Sequence, residues 1–128
     1  MSTKHPIISV TGSSGAGTST VKDTFDQIFR REGSKAVTIE GDAFHRFNRA
    51  DMRAELAKRR ESGEETFSHF SYEANELGEL ERVFREYGET GKGRTRQYVH
   101  DAEESERHGV PPGEFTAWAP FAEDTDLL

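Results

Sequence analysis

The apolar positions follow two rhythms along the chain. Ile7 to Val10, bounded by Pro6 and Gly12, is short, β-branched and apolar on both faces, the pattern of a buried strand in a parallel sheet. Beyond it, Val21, Phe25, Ile28 and Phe29 fall at i, i+4, i+7 and i+8, which predicts a helix over about Thr18 to Arg31. Arg30 and Arg31 in its last turn suit the negative end of the helix dipole, and Gly33 suits a left-handed cap. Ala36 to Ile39 forms a second short strand ending at Glu40-Gly41-Asp42, so that strand, helix and strand make a βαβ unit.

Asn48, with Asp51 three residues on and Met52 and Leu56 spaced by four, begins a more polar helix that the Gly63 region ends. Leu77, Leu80, Val83, Phe84 and Tyr87 share one face of a third helix, with Asn75 as its expected start cap and Gly88 as its end. From Gly91 to His100 the period becomes two. Arg94, Arg96, Tyr98 and His100 fall on one face of an extended strand, and Thr95, Gln97 and Val99 on the other. Gly109 to Pro120 carries three of the four prolines and reads as turns with a short strand around Phe115 to Trp118. Leu127 and Leu128, after the acidic stretch Glu123-Asp124-Thr125-Asp126, read as the first residues of another buried strand.

Composition narrows the function. The 128 residues suit one domain or a piece of one, and with 32% apolar residues and 12 glycines an incomplete core is expected. Seventeen Lys and Arg against 24 Asp and Glu give a formal charge of −7, which argues against nucleic acid or an anionic membrane as partner. An anionic ligand must then be held by local cations or backbone N–H groups. With no cysteine there is neither a disulfide nor a thiolate zinc site, and the cytoplasm is the expected compartment. The apolar run near the start is too short for a signal peptide or a membrane span.

Gly12-Ser13-Ser14-Gly15-Ala16-Gly17-Thr18-Ser19-Thr20 follows the first strand and opens the first helix, the context of a phosphate-binding loop. Glycines let the backbone close around an anion, and the helix N-terminus adds partial positive charge. ATP fits such a loop. The spacing follows G-x-x-x-x-G-K-[ST] with one departure, Thr18 in place of the lysine, so another cation must supply that charge if phosphoryl transfer occurs. Ser19 keeps the register of the hydroxyl that ligates Mg²⁺.

Asp42 lies just past the second strand, at the edge where open α/β sheets bind ligands, and a carboxylate there can take the proton of a sugar hydroxyl attacking a phosphorus. His45, Arg46 and Arg49 follow it, with Arg53 one turn further, and Arg pairs well with the oxygens of a sugar phosphate. Arg46 fits better on a solvated face. The Arg94 to His100 face is a candidate second wall of the pocket. His5, His69 and His108 show no ligand spacing and are expected to be surface or core histidines.

The segments HPIISVTGSSGAGTST, VTIEGDAFHRFNRADM, FSHFSYEANELGELERVFREYGETGKGRTRQYVHD and GEFT resemble the bacterial phosphoribulokinases, and the threonine at the P-loop lysine position is typical of that family. The resemblance implies an α/β P-loop nucleoside-triphosphate-binding kinase fold with a parallel sheet. Residues 1–128 would be the N-terminal part of one kinase domain whose remainder follows. It implies ATP-dependent phosphorylation of ribulose 5-phosphate to ribulose 1,5-bisphosphate, a carbon-fixing step of the Calvin cycle. Asp42 would be the general base for the C1 hydroxyl, with His45 and Arg49, and Arg53, Tyr98 and His100 around them, binding the sugar phosphate. It further implies a homo-oligomer activated by NADH, with Arg31 at a position linked to that effector. Two other readings stay open: a kinase of the uridine or pantothenate kinase type, and a nucleotide-binding module without catalysis.

Overall fold

The computed structural model describes residues 3–13 and 15–128. Among them are helices α1 (Thr18–Glu32), α2 (Arg49–Glu61), α3 (Leu77–Thr90) and α4 (Ala102–His108), with 3₁₀ turns at Gly41–Phe44 and Tyr72–Ala74. Two short strands, β1 (Arg94–Thr95) and β2 (Ala119–Pro120), pair with each other. The chain divides into two units. One comprises Met1–Ile39, Val83–Gly93 and Pro120–Leu128, the other Glu40–Arg82 and Arg94–Ala119.

In the first unit the predicted strands are extended segments joined through the last three residues. The Ile8 N–H donates to the Leu128 carbonyl at 2.8 Å and the Leu128 N–H to Pro6 at 3.2 Å. On the other side, Val37 donates to Leu127 at 3.0 Å, and Ala36 and Leu127 form a parallel bridge. Residues 126–128 therefore lie between the two strands of the expected βαβ unit, and Leu127 and Leu128 are buried. Hydrophobic periodicity marks strands but carries no information on their order, so this insertion was invisible in the pattern. Tyr87 and Val83 of α3 complete the core with Phe121, and the Tyr87 ring meets His5 and Phe121 edge-on at 5.5 and 6.1 Å.

α1 is capped as expected, by Gly33 at φ 71° with its N–H on the Arg30 and Phe29 carbonyls. The burial expected of the first strand and of the apolar face of α1 is only partial. Ile8, Val10, Val21 and Ile28 keep 39–46% of their surface exposed.

In the second unit, Asn48 caps α2 by accepting the Asp51 N–H at 2.8 Å. Met52 of α2 packs with Phe67 and Ala74, flanked by Phe47 and Leu56. The expected Gly91–His100 and Phe115–Trp118 strands pair antiparallel through Tyr98 and Phe115, with Val99 donating to Glu114 at 2.9 Å. Only Arg94–Thr95 and Ala119–Pro120 are regular enough to count as strands.

Two cap assignments are corrected. Gly88 lies inside α3, which runs on to Thr90 and meets the left-handed Gly91 at φ 71°. Asn75 does not cap α3, because its side chain is engaged with His45, His69 and Ser71.

Candidate functional site

The phosphate-loop candidate is built from two glycines that only a residue without Cβ adopts freely: Gly15 at φ 80° and Gly17 at φ 86°. Ala16 donates to the Ser13 carbonyl at 3.0 Å, closing the turn. Gly12 must also stay small, since a Cβ there would meet the Thr18 methyl at 3.0 Å and Ala16 at 3.2 Å. Thr18, Ser19 and Thr20 form the first turn of α1, which has no side-chain cap and no acidic residue in that turn. The positive end of the helix thus meets no anionic side chain of its own first turn, as an incoming phosphate requires. Ser14 lies outside the described residues. Ser19 is exposed at the second helical position and suits a nucleotide-bound Mg²⁺, which takes few protein ligands beside phosphate and water. Among the described residues no group of three or more acidic or histidine side chains could hold a metal.

The second candidate lies wholly in the second unit. Asp42, His45, Arg49, Arg53, Tyr98 and His100, six positions singled out from the sequence, line one cavity of about 340 Å³. The 3₁₀ turn Gly41–Phe44 places Asp42 and His45 one turn apart, α2 supplies Arg49 and Arg53, and the extended 98–100 segment supplies Tyr98 and His100. His69 also lines the cavity, with its ring 6.0 Å from that of His45, which corrects its expected role as an unrelated histidine. Sequence spacing could not show this, because His69 reaches the site from an irregular segment 24 residues beyond His45.

Asp42 sits between two imidazoles. His45 Nε2 is 3.1 Å from Oδ1, and His100 Nε2 is 2.8 Å from Oδ2. His45 Nδ1 meets the Asn75 Oδ1 at 2.9 Å, and His100 Nδ1 meets Glu104 Oε2 at 3.0 Å. The hydrogen bond from His45 pulls the Asp42 carboxyl down to about 2, burial opposing and His100 assisting. His45 is raised by the same bond to Asp42 and by Asn75, against burial. At His100 burial opposes the charge, but the bonds to Asp42 and Glu104 outweigh it and the imidazole is raised.

The Arg94 to His100 face divides. Tyr98 and His100 line the cavity, whereas Arg96 turns away under Phe115, 3.7 Å from its ring, and donates to the Ala43 and His45 carbonyls at 2.8 and 3.0 Å. It thereby holds the turn that carries Asp42. Arg94 pairs with Glu79 and lies over Trp118. Arg46 pairs with Glu76, as a solvated residue would. Arg49 donates to the His100 carbonyl at 2.7 Å and its backbone N–H to Gly113 at 2.9 Å. Arg31 lies in the last turn of α1 with its side chain 79% exposed, 3.5 Å from Glu32.

Asn75, Glu104 and Gly113 are site residues that sequence reasoning missed. Glu104 had a signal: Asp101, Glu104 and Gly109 are cap and stop residues of α4, a helix too short and polar to show periodicity. Asn75 had a misleading one, since Asn before an apolar run usually reads as a cap.

The family model described as Phosphoribulokinase / Uridine kinase family matches residues 7–128. Over all 128 residues the chain is 77% identical to Phosphoribulokinase 1 and 76% identical to Phosphoribulokinase 2 of Cereibacter sphaeroides, covering 44% of each. A solved structure titled phosphoribulokinase from Rhodobacter spheroides superposes on 97% of the chain with a TM-score of 0.83 and 72% identity, covering 41% of that structure. The chain thus spans less than half the length of the relatives it matches, and its α/β fold is that of a P-loop kinase.

Proposed function

Because the chain belongs to the phosphoribulokinase / uridine kinase family, we propose that it carries the nucleotide loop and acceptor pocket of a kinase acting on ribulose 5-phosphate. The observation that carries this reading is Asp42, an ionised carboxylate in a cavity whose other charged walls are His45, His100, Arg49 and Arg53. A net-negative chain concentrates cations there, which favours a phosphorylated sugar over a neutral nucleoside such as uridine.

Gly12 to Thr20 hold the ATP polyphosphate through backbone N–H groups and the N-terminus of α1. Mg²⁺ at the Ser19 hydroxyl supplies charge neutralisation on the phosphates. Arg49 and Arg53 bind the acceptor's 5-phosphate, and His45 and His100 orient its hydroxyls. The C1 oxygen attacks the γ-phosphorus, the bond to the bridging oxygen of ADP breaks, and the hydroxyl proton passes to Asp42.

A carboxylate at about 2 is a weak base. A hydroxyl that binds Asp42 must displace or share one imidazole contact, and loss of that contact removes a cause of the low pKa and raises its basicity as the proton moves. The products are ribulose 1,5-bisphosphate and ADP. Arg31, exposed at the end of α1, is the proposed contact for NADH as activator, in a homo-oligomer of the cytoplasm.

Asp42→Asn in the intact protein tests the reading. It should cut kcat by at least about a hundredfold while ATP binding stays near normal. Retained kcat rejects Asp42 as base, and turnover of uridine without ribulose 5-phosphate rejects the acceptor.

A further inference from the structure

The hydrogen bonds around Asp42 are all satisfied by one arrangement of protons. The Asn75 amide nitrogen lies 2.9 Å from the His69 carbonyl and 2.8 Å from the Ser71 carbonyl. Both are acceptors, so the NH₂ group must face them and Oδ1 must face His45. His45 Nδ1, 2.9 Å from that oxygen, therefore carries a proton. Its Nε2, 3.1 Å from an Asp42 carboxylate oxygen, carries one as well. His100 is held likewise, with Nε2 on Asp42 and Nδ1 on Glu104, two carboxylates that only accept. Glu104 also receives the His100 backbone N–H at 2.8 Å, so the same oxygen anchors ring and backbone.

We infer that Asn75 and Glu104 are positioning residues that hold His45 and His100 as imidazolium cations, one on each carboxylate oxygen of Asp42. The five side chains form one line, Asn75, His45, Asp42, His100, Glu104, with a backbone-anchored acceptor at each end. This rests on the proposed acceptor role of the cavity and adds to it the charge that offsets the Asp42 and Glu104 carboxylates, leaving Arg49 and Arg53 for the phosphate. Neutral histidines would leave two uncompensated carboxylates facing an anionic sugar, whereas imidazoliums held on those carboxylates offset that repulsion.

Among the other groups facing the pair, two guanidiniums oppose the imidazolium charge, and both are held on backbone carbonyls. Around His45 stand the His69 ring at 6.0 Å, the Tyr98 ring at 6.2 Å and the Arg96 guanidinium on its carbonyl. Around His100 stand the Tyr98 ring at 5.0 Å and Arg49 on its carbonyl. The two imidazoles repel each other, and Asp42 between them offsets that repulsion.

The test is ¹⁵N NMR of the histidine rings in the intact protein without ligands. At pH 7 both ring nitrogens of His45 and of His100 should be protonated. Asn75→Ala should lower the His45 titration and Asn75→Asp, which sets a carboxylate against Nδ1, should raise it. Glu104→Gln keeps an acceptor oxygen but should lower that of His100. In Asn75→Ala the KM for ribulose 5-phosphate should rise about tenfold at pH 8, the size of a lost charged hydrogen bond, with recovery at pH 6 and an unchanged KM for ATP.

A neutral His45 in the unmodified protein at pH 7 overturns the inference whatever the variants do, as does movement of the Ala and Asp variants in the same direction. Shifted titrations without any ribulose 5-phosphate turnover would leave the positioning of the two imidazoliums standing and reject the proposed substrate instead.

Discussion

At the scale of single residues, the Asp42 cluster makes folding stability depend on pH from both sides. The folded Asp42 carboxyl lies at about 2 against an ordinary 3.8, so its contribution is full above the ordinary value and is lost as pH falls toward 2. His45 and His100 are raised above 6.5, so theirs is full below 6.5 and is lost as pH rises through the folded values. The cluster should therefore stabilise most between about 4 and 6.5. Urea midpoints measured across pH should show a plateau there that Asp42→Asn flattens on both sides; parallel curves for the two proteins would mean that the three groups are not coupled. Asp42 and His45 were legible because a carboxylate past a strand end with cations after it is a local pattern, and His100 through the alternation of the Arg94 to His100 face and the family resemblance. Their mutual contact was not, since His100 follows Asp42 by 58 residues.

At the scale of elements, α2 is aimed by its neighbours at its start. Asn48 caps it, and Gly113 accepts the Arg49 N–H while sitting at φ 87°. A Cβ on Gly113 would lie 2.7 Å from the Arg49 Cβ, too close for either to stay. Gly113→Ala should thus displace Arg49 as well as cost about 1–2 kcal/mol for the left-handed backbone. The expected reading is a several-fold rise in KM for ribulose 5-phosphate with KM for ATP unmoved. A loss of stability with both constants unchanged would confine Gly113 to a folding role. The Asn48 cap was read from the sequence because capping is local, and so were the bounds of α1 and its Gly33 terminator. Gly113 could only be read as a turn glycine, because the side chain it must avoid belongs to another element.

For the whole molecule, the packing of the first unit depends on a few buried residues. Tyr87 is fully buried against His5 and Phe121, and its hydroxyl reaches the Thr125 carbonyl only at 3.4 Å. Tyr87→Ala should lower stability by about 3–5 kcal/mol, and Tyr87→Phe by well under 1 kcal/mol, because the ring fills space while the hydroxyl bond is long. Denaturant midpoints of the two variants check this, and equal losses would assign the effect to the hydroxyl. Among the described residues no helix is long and apolar enough to cross a membrane. The glycine turn before α1, the helices α1 to α3, the cation-rich stretch after Asp42 and the extended, buried character of Leu127 and Leu128 were determined by the sequence alone, because each depends on neighbours within a few positions. The tertiary structure decided the rest: residues 126–128 entering between the extended segments around Ile8 and Val37, Arg96 turning from the cavity to the backbone, and Asn75 engaging His45 in place of a helix cap. These depend on which distant segments share space, and a one-dimensional pattern of polar and apolar residues does not encode that sharing.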